Sequence, residues 1–463
     1  MAPPAAPDTS GKLQPADLLR SGPELLQAGA VTVAFSGGLD STVLLHLLAS
    51  LRRQGMLRVP LRALHINHAL QASAAEWQAH CHRVCADWEL PCHSELVRVQ
   101  LAAGDSPEEA ARKARHAAFA SLLGSGELLV LAQHQDDQVE TALFRLLRGS
   151  GVAGLAGMPR LRNCGRGLLL RPLLDLPRSA LQVYAREQRL SWIEDPSNCD
   201  QRYDRNYLRR TILPALASRW PGLVASISRS ASLSGEAAGL LKVLANQDLL
   251  PARSDFPNWL ECTSLHGLDP ARQRNLLYCW LQELHEQQGC APPNHQVLEA
   301  LVTTVLPASA SANPLLSWGR NGQRTTLRRY RDRLYVLPSL PSHPVPQEWQ
   351  TDQDCVLPGP LGTLVLEPVA GPGLRRDRVE RLQLRWRQGG EQVKAAGRRT
   401  RHLKKLLQDC GVPPWLREHV PLLYAGDELV AVADLAICEG WLDKTGQNCY
   451  RISWQRARAH CGW

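Results

Sequence analysis

The chain has 463 residues, of which 44 % are hydrophobic and 21 % charged, and a formal net charge of +9. That length exceeds what one hydrophobic core supports, so two to four domains are expected, and the basic balance favours a polyanionic partner without naming one. Thirteen cysteines without a single C-x-x-C pair suit free thiols in a reducing compartment, and no run of eighteen apolar residues or basic-then-apolar leader occurs, so a soluble cytoplasmic protein with no membrane partner is expected.

Residues 1–27 read as a flexible or peripheral segment. From 28 to 222 short apolar runs alternate with amphipathic ones: VTVAF, LRALHI, ELVRVQ and ELLVLA, each followed by a helical pattern. Strands separated by helices of this length predict an α/β fold, a parallel sheet with helices on both faces, whose ligands bind beyond the carboxyl ends of the strands. The first strand empties into Ser36, Gly37, Gly38, Leu39, Asp40 and Ser41 at the start of a helix. Two glycines leave room for an approaching phosphate, and the N–H groups and hydroxyls offer donors to its oxygens. Neither a Gly-Lys-Ser/Thr ending nor a G-x-G-x-x-G fingerprint is present. Asp40 stands where a lysine would be expected, which makes electrostatic sense with Mg²⁺ between carboxylate and polyphosphate. The loop resembles that of the enzymes that cleave ATP to AMP and pyrophosphate.

His65 and His68 leave the second strand towards the same cleft, where they could meet adenosine or substrate or serve a structural role. Cys81 and Cys85, with His80 and His82, lie at helical spacing beside Trp77 and Trp88 and read as ordinary helix residues rather than a metal cluster. Ser106 and Glu109 form a capping-box pattern. The run AQHQDDQVET puts His134, Asp136 and Asp137 just past a strand and Glu140 on the next helix, placed to hold Mg²⁺ against phosphate, to deprotonate an amine, or merely to cap a helix.

Residues 223–340 read as a mainly helical domain ending in a basic hairpin, QRTTLRRYRDRLYVL, with its arginines on a solvent face. A Pro-rich linker at 341–356 follows, and then a small α+β domain at 357–463. Basic stretches at 324–333, 375–387 and 398–405 suit phosphate contacts. Trp415, between prolines and a leucine, could stack on a base or wedge against the preceding helix.

SGGLDS, HINHAL, EEAARKARHAAF, HQDDQVET, RGSGVAGLAGM, RPLL, WIEDPSN, YDRNYLR and the terminal LKKLLQDCGVPPWLREHVPLLYAGDELVAVAD occur in this order. Together they make the chain similar to the tRNA(Ile)-lysidine synthetases, over essentially its whole length. The resemblance implies a PP-loop ATPase, adenine-nucleotide alpha-hydrolase-like domain, and a carbon–nitrogen ligase joining free lysine to C2 of the wobble cytidine of tRNA(Ile) with a CAU anticodon. It implies an adenylated-cytidine intermediate and release of AMP and pyrophosphate, with a homodimer left open. Residue by residue, it implies ATP binding by Ser36, Gly37, Gly38, Leu39, Asp40, Ser41, His65 and His134, and Mg²⁺ binding by Asp40 and Asp136. Catalytic roles fall to Asp40, Asp136, Glu140, Arg112, Arg115 and Arg205, with Asn206 and Asp195 bordering the cleft. Arg112 and Arg115, three apart on one helix, could instead pair with Glu108 and Glu109. A PP-loop tRNA thiolase and a noncatalytic RNA-binding protein are the alternatives.

Overall fold

Three apolar runs of the first half become strands because they are buried, as parallel strands flanked by helices must be. The third strand instead forms over Cys92–Leu96 at the sheet edge, with no fully buried residue, and shares only its last two residues with the run expected at 95–100. The computed structural model describes residues 12–67, 74–99, 107–194, 200, 202–253, 257–309, 312–319, 324–337, 345–444 and 449–456. It divides into two compact units, residues 1–241 and 242–463.

In the first unit a helix (α1, Pro15–Ser21) precedes β1 (Ala30–Ala34), α2 (Leu39–Arg53), β2 (Leu61–Asn67), α3 (Ala74–Asp87), β3 (Cys92–Leu96), α4 (Pro107–Leu122), β4 (Glu127–Val130) and α5 (Gln135–Leu147). A short helix (α6, Val152–Leu155) leads to a hairpin of β5 (Leu161–Cys164) and β6 (Gly167–Leu170), followed by α7 (Arg178–Glu187). The sheet order is β3-β2-β1-β4-β6-β5; all neighbours are parallel except β5 against β6. The order reverses between β1 and β4, which both end in the loops singled out above, so the crevice of this sheet opens there.

Residues 12–27, expected to be peripheral, are not: Leu18 and Leu25 are fully buried in the sheet's core, and Arg160 holds Glu24 and the Ser21 carbonyl. Alternation is absent from that stretch, so only the packing reveals it. The β5–β6 hairpin was likewise not anticipated. The Ser106 cap and His68 lie outside the described residues, as does Asp195. Cys81 and Cys85 are buried on α3, and among the described residues no group of His, Cys, Asp and Glu could by itself hold a metal ion.

Beyond α7, residues Asp204–Tyr207 (α8) continue through a π-helical turn at Leu208–Ile212 into Leu213–Arg219 (α9). A long helix (α10, Leu223–Leu249) follows. No helix among the described residues is long and apolar enough to cross a membrane.

The second unit contains an antiparallel sheet whose strand order is Trp259–Glu261 (β7), Arg333–Leu337 (β10), Thr325–Tyr330 (β9) and Leu315–Trp318 (β8), packed with Pro270–Gln288 and neighbouring helices. The hairpin at 325–337 is present, but Arg329 does not face solvent. It is buried and donates to the Val305, Leu306 and Ala308 carbonyls, satisfying a helix end. The segment 347–356, assigned to the linker, instead supplies strands: Gln347–Gln350 pairs with Arg381–Arg385, and Cys355–Val356 with Thr363–Val369. Two five-stranded sheets and the helix Leu403–Asp409 enclose the terminal core.

Trp415 packs into this unit edge-on to Tyr330 and Tyr335, with the Arg328 guanidinium over its ring. The ring contacts that hold it are to the β9–β10 hairpin.

Candidate active site

The turn after β1 is shaped by its own hydroxyls. Ser36 and Ser41 Oγ atoms lie 3.0 Å apart, Ser41 also accepts from the Ser36 N–H, and Thr42 Oγ1 donates to the Gly38 carbonyl. Gly37 has φ of +79°, and a Cβ there would lie 3.0 Å from the Cys81 sulfur, so both its conformation and its space require glycine. The Gly37 carbonyl accepts from the Ile193 N–H, tying the loop to the segment after α7. Leu39 contributes only backbone to such a loop, since its side chain belongs to the core. His65 is buried behind the loop, where Nδ1 meets the Phe35 carbonyl at 3.0 Å and burial pushes its pKa down.

Asp40, one residue into α2, meets the start of α5 across the crevice. His134 Nε2 is 3.6 Å from Asp40 and 3.4 Å from Asp137, while Nδ1 is 3.6 Å from Asp136. Burial alone would lower the pKa of this imidazole, but three carboxylates around it outweigh that and hold it up to about 9. The charged imidazole in turn works against burial to hold Asp40 and Asp136 below the usual carboxylate range. Arg178, at the start of α7, adds a guanidinium 3.5 Å from Asp40 Oδ1 and a backbone N–H 2.8 Å from Asp136 Oδ2. Asp40 Oδ1 is buried and accepts no hydrogen bond among the described residues. An oxygen left this way suits a cation.

A second cluster adjoins the first through Asp137. Glu140, 1 % exposed, is held by Arg205 Nε at 3.1 Å and by Arg209 at 2.5 and 3.0 Å; Arg209 also reaches Asp137 at 3.0 Å. Arg205 and Arg209 stand one turn apart on either side of the switch from α8 to the π-helical turn, which aims both at one carboxylate. Arg209 and Arg178 were not among the expected residues. The i,i+4 spacing of Arg205 and Arg209 signals the first; nothing local signals the second, which meets Asp40 across 138 positions of sequence. Arg112 and Arg115 are exposed on α4 and carry no ion pair to this cluster among those the structure gives. Asn206 donates to the Asp200 carbonyl at 2.9 Å.

A family model described as the PP-loop domain matches residues 13–216; one described as the TilS substrate binding domain matches 260–335, and one described as the TilS substrate C-terminal domain matches 382–454. A tRNA(Ile)-lysidine synthase of Coxiella burnetii is 43 % identical over 413 residues, covering 88 % of this chain and 89 % of its own. One of Pseudomonas aeruginosa is 44 % identical over 451 residues, covering 92 % and 94 %. Among solved structures, a U34-tRNA thiolase of Methanococcus maripaludis is 17 % identical over 47 % of this chain and 76 % of its own, with a TM-score of 0.40, too low to bear on activity.

Proposed function

The chain belongs to the tRNA(Ile)-lysidine synthase family, ligases that use ATP to form lysidine on tRNA(Ile), and we propose that Asp40, His134 and Asp136 mark where the base is activated and lysine is joined to it. The observation that carries this reading is the meeting of Asp40, from the phosphate loop, with His134 and Asp136 at the opposite side of the switch-point crevice. The relatives' activity favours ligation over the sulfur-transfer and binding-only alternatives.

ATP enters with its phosphates on the 36–41 loop. The cytidine C2 oxygen attacks the α-phosphorus, pyrophosphate leaves, and the oxygen becomes part of a good leaving group. The amine of free lysine then attacks C2, and AMP departs with that oxygen. Arg178 stands beside Asp40 to offset charge on the phosphoryl oxygens. Mg²⁺ fits the donor set: Asp40 Oδ1, which accepts no hydrogen bond among the described residues, and the part-exposed Asp136 are two hard oxygens, and this ion takes one or two carboxylates plus substrate phosphates rather than a full protein cage. Bound there, it would supply charge neutralisation at the phosphates.

Of the two carboxylates expected to take the amine proton, Glu140 is enclosed by two guanidiniums, so Asp136 is the acceptor. Glu140 fixes Arg205 and Arg209 from behind. Asp137 with those arginines then presents one negative and two positive groups, a match for the ammonium and carboxylate of a zwitterionic amino acid.

The test incubates the protein with ATP, Mg²⁺, labelled lysine and unmodified tRNA(Ile) carrying CAU, beside the same tRNA with its wobble cytidine replaced. Label in the first tRNA alone, with one AMP per lysine, is expected. No label from a preparation that binds both ATP and the tRNA would overturn the reading.

A further inference from the structure

A second set of charged side chains lies on the other flank of β4 and takes no part in the steps above. Arg171, just past β6, is buried; its guanidinium donates to the Gln133 side chain and to the Pro159 carbonyl at 2.8 Å. Arg145 of α5 supports the same loop, donating to the Gly154 and Gly157 carbonyls at 2.9 and 2.6 Å. Arg162 of β5 donates to His116 Nδ1 of α4 at 3.0 Å. Arg112 stands one turn before His116 on that helix. Arg112, Arg145, Arg162 and Arg171 have no carboxylate partner among the described residues.

We propose that these arginines form an anion site that takes a backbone phosphate of the RNA beside the nucleotide being modified, an inference that rests on the function proposed above. Buried cations are normally paired, yet Arg171 is buried without a carboxylate, and the guanidiniums of Arg112, Arg145 and Arg162 near it repel it until an anion arrives. Burial together with Arg162, Arg115, Arg112 and Arg171 pushes the His116 pKa down to about 4, and burial with Arg162, Arg112 and Arg145 pushes that of Arg171 down to about 10. The site also adjoins the reaction centre, because Gln133, which fastens Arg171, immediately precedes His134. Guanidiniums match phosphate oxygens in charge and geometry, and phosphate contacts fix the register of a nucleic acid. The pyrophosphate released from ATP has the same chemistry, so the experiment must separate the two.

Arg162 is half-buried, lies outside the catalytic groups and can be changed with little risk to the fold. Binding of unmodified tRNA(Ile) to the full-length protein is measured from 50 to 200 mM salt for the wild type, Arg162→Gln and Arg162→Lys, with pyrophosphate inhibition of AMP formation in parallel. Arg162→Gln should weaken tRNA binding roughly five- to tenfold and reduce the salt slope by about 1, while Arg162→Lys retains the slope and neither changes pyrophosphate inhibition. An unchanged slope in Arg162→Gln overturns the site. Equal losses in both variants overturn it too, since they mean that only the bond to His116 matters, and a change confined to pyrophosphate inhibition assigns it to the leaving group instead. Lysine incorporation by the wild type is scored separately, so a failed reaction with an altered slope discards the proposed function and keeps the anion site.

Discussion

The strongest coupling in the first unit should be between Glu140 and Arg209, and a double-mutant cycle measures it. Glu140 is 1 % exposed, whereas the Arg209 side chain is 33 % exposed, with nitrogen–oxygen contacts of 2.5 and 3.0 Å. At an effective dielectric of about 20, unit charges this close attract by about 4 kcal/mol, and solvent at the arginine reduces that. Arg209→Met leaves a buried carboxylate with Arg205 alone, which should cost about 3 kcal/mol. Glu140→Gln leaves two guanidiniums facing an amide and should cost about as much. Once either partner is gone the other has less to lose, so the double variant should fall short of the sum by about 2 kcal/mol. The assay is thermal unfolding of the full chain, following the transition that ATP shifts upwards and that therefore belongs to the nucleotide unit. For a unit of this size each single variant should lower that transition by roughly 6–12 °C. Additivity within about 0.5 kcal/mol would refute the reasoning, because it would mean that the ion pair is solvated and the arginine does not compensate Glu140.

Gly37→Ala should raise the KM for ATP at least tenfold. Removing the Cys81 sulfur with Cys81→Ala should not restore it, since the positive φ remains; restoration would show that only space mattered. His46 is buried against Tyr184, and burial followed by Arg53 pushes its pKa down to about 4. The unfolded chain therefore binds a proton near pH 6.5 that the folded chain refuses until about pH 4, so the contribution of His46 to stability is constant above 6.5 and falls by up to about 1.4 kcal/mol per pH unit between those values. His46→Gln should remove its share of that slope from the urea-midpoint profile and leave the share carried by His116; an unchanged slope refutes the assignment. Trp415→Ala should destabilise the second unit by about 3 kcal/mol by removing its contacts with Tyr330 and Tyr335, and its tRNA affinity measured well below the new midpoint should change less than threefold. A larger loss of affinity with no loss of stability would return Trp415 to base stacking.

Local chemistry made much of this protein legible in its sequence. The apolar runs at 30–34, 61–67 and 127–130 announced a parallel sheet, because strands covered on both faces need continuous hydrophobicity and helices need a different period, whereas the edge strand formed at 92–96 (CHSEL), largely ahead of the apolar run at 95–100 expected to supply it. The loop at 36–41 stood out as a candidate phosphate loop, because glycines and hydroxyls before a helix have few other uses. Asp40, His134, Asp136 and Glu140 stood out as candidates for chemistry because they lie at or within the helices that directly follow two of the strands. Pairing across distance was not legible. No periodicity told that Leu18 and Leu25 complete the core, that Arg329 turns inward to a helix end, or that 347–350 pairs with 381–385. Only the fold brings Arg205 and Arg209 onto Glu140 and Arg178 onto Asp40, because an ion pair depends on where backbones cross and not on what precedes each residue in the chain.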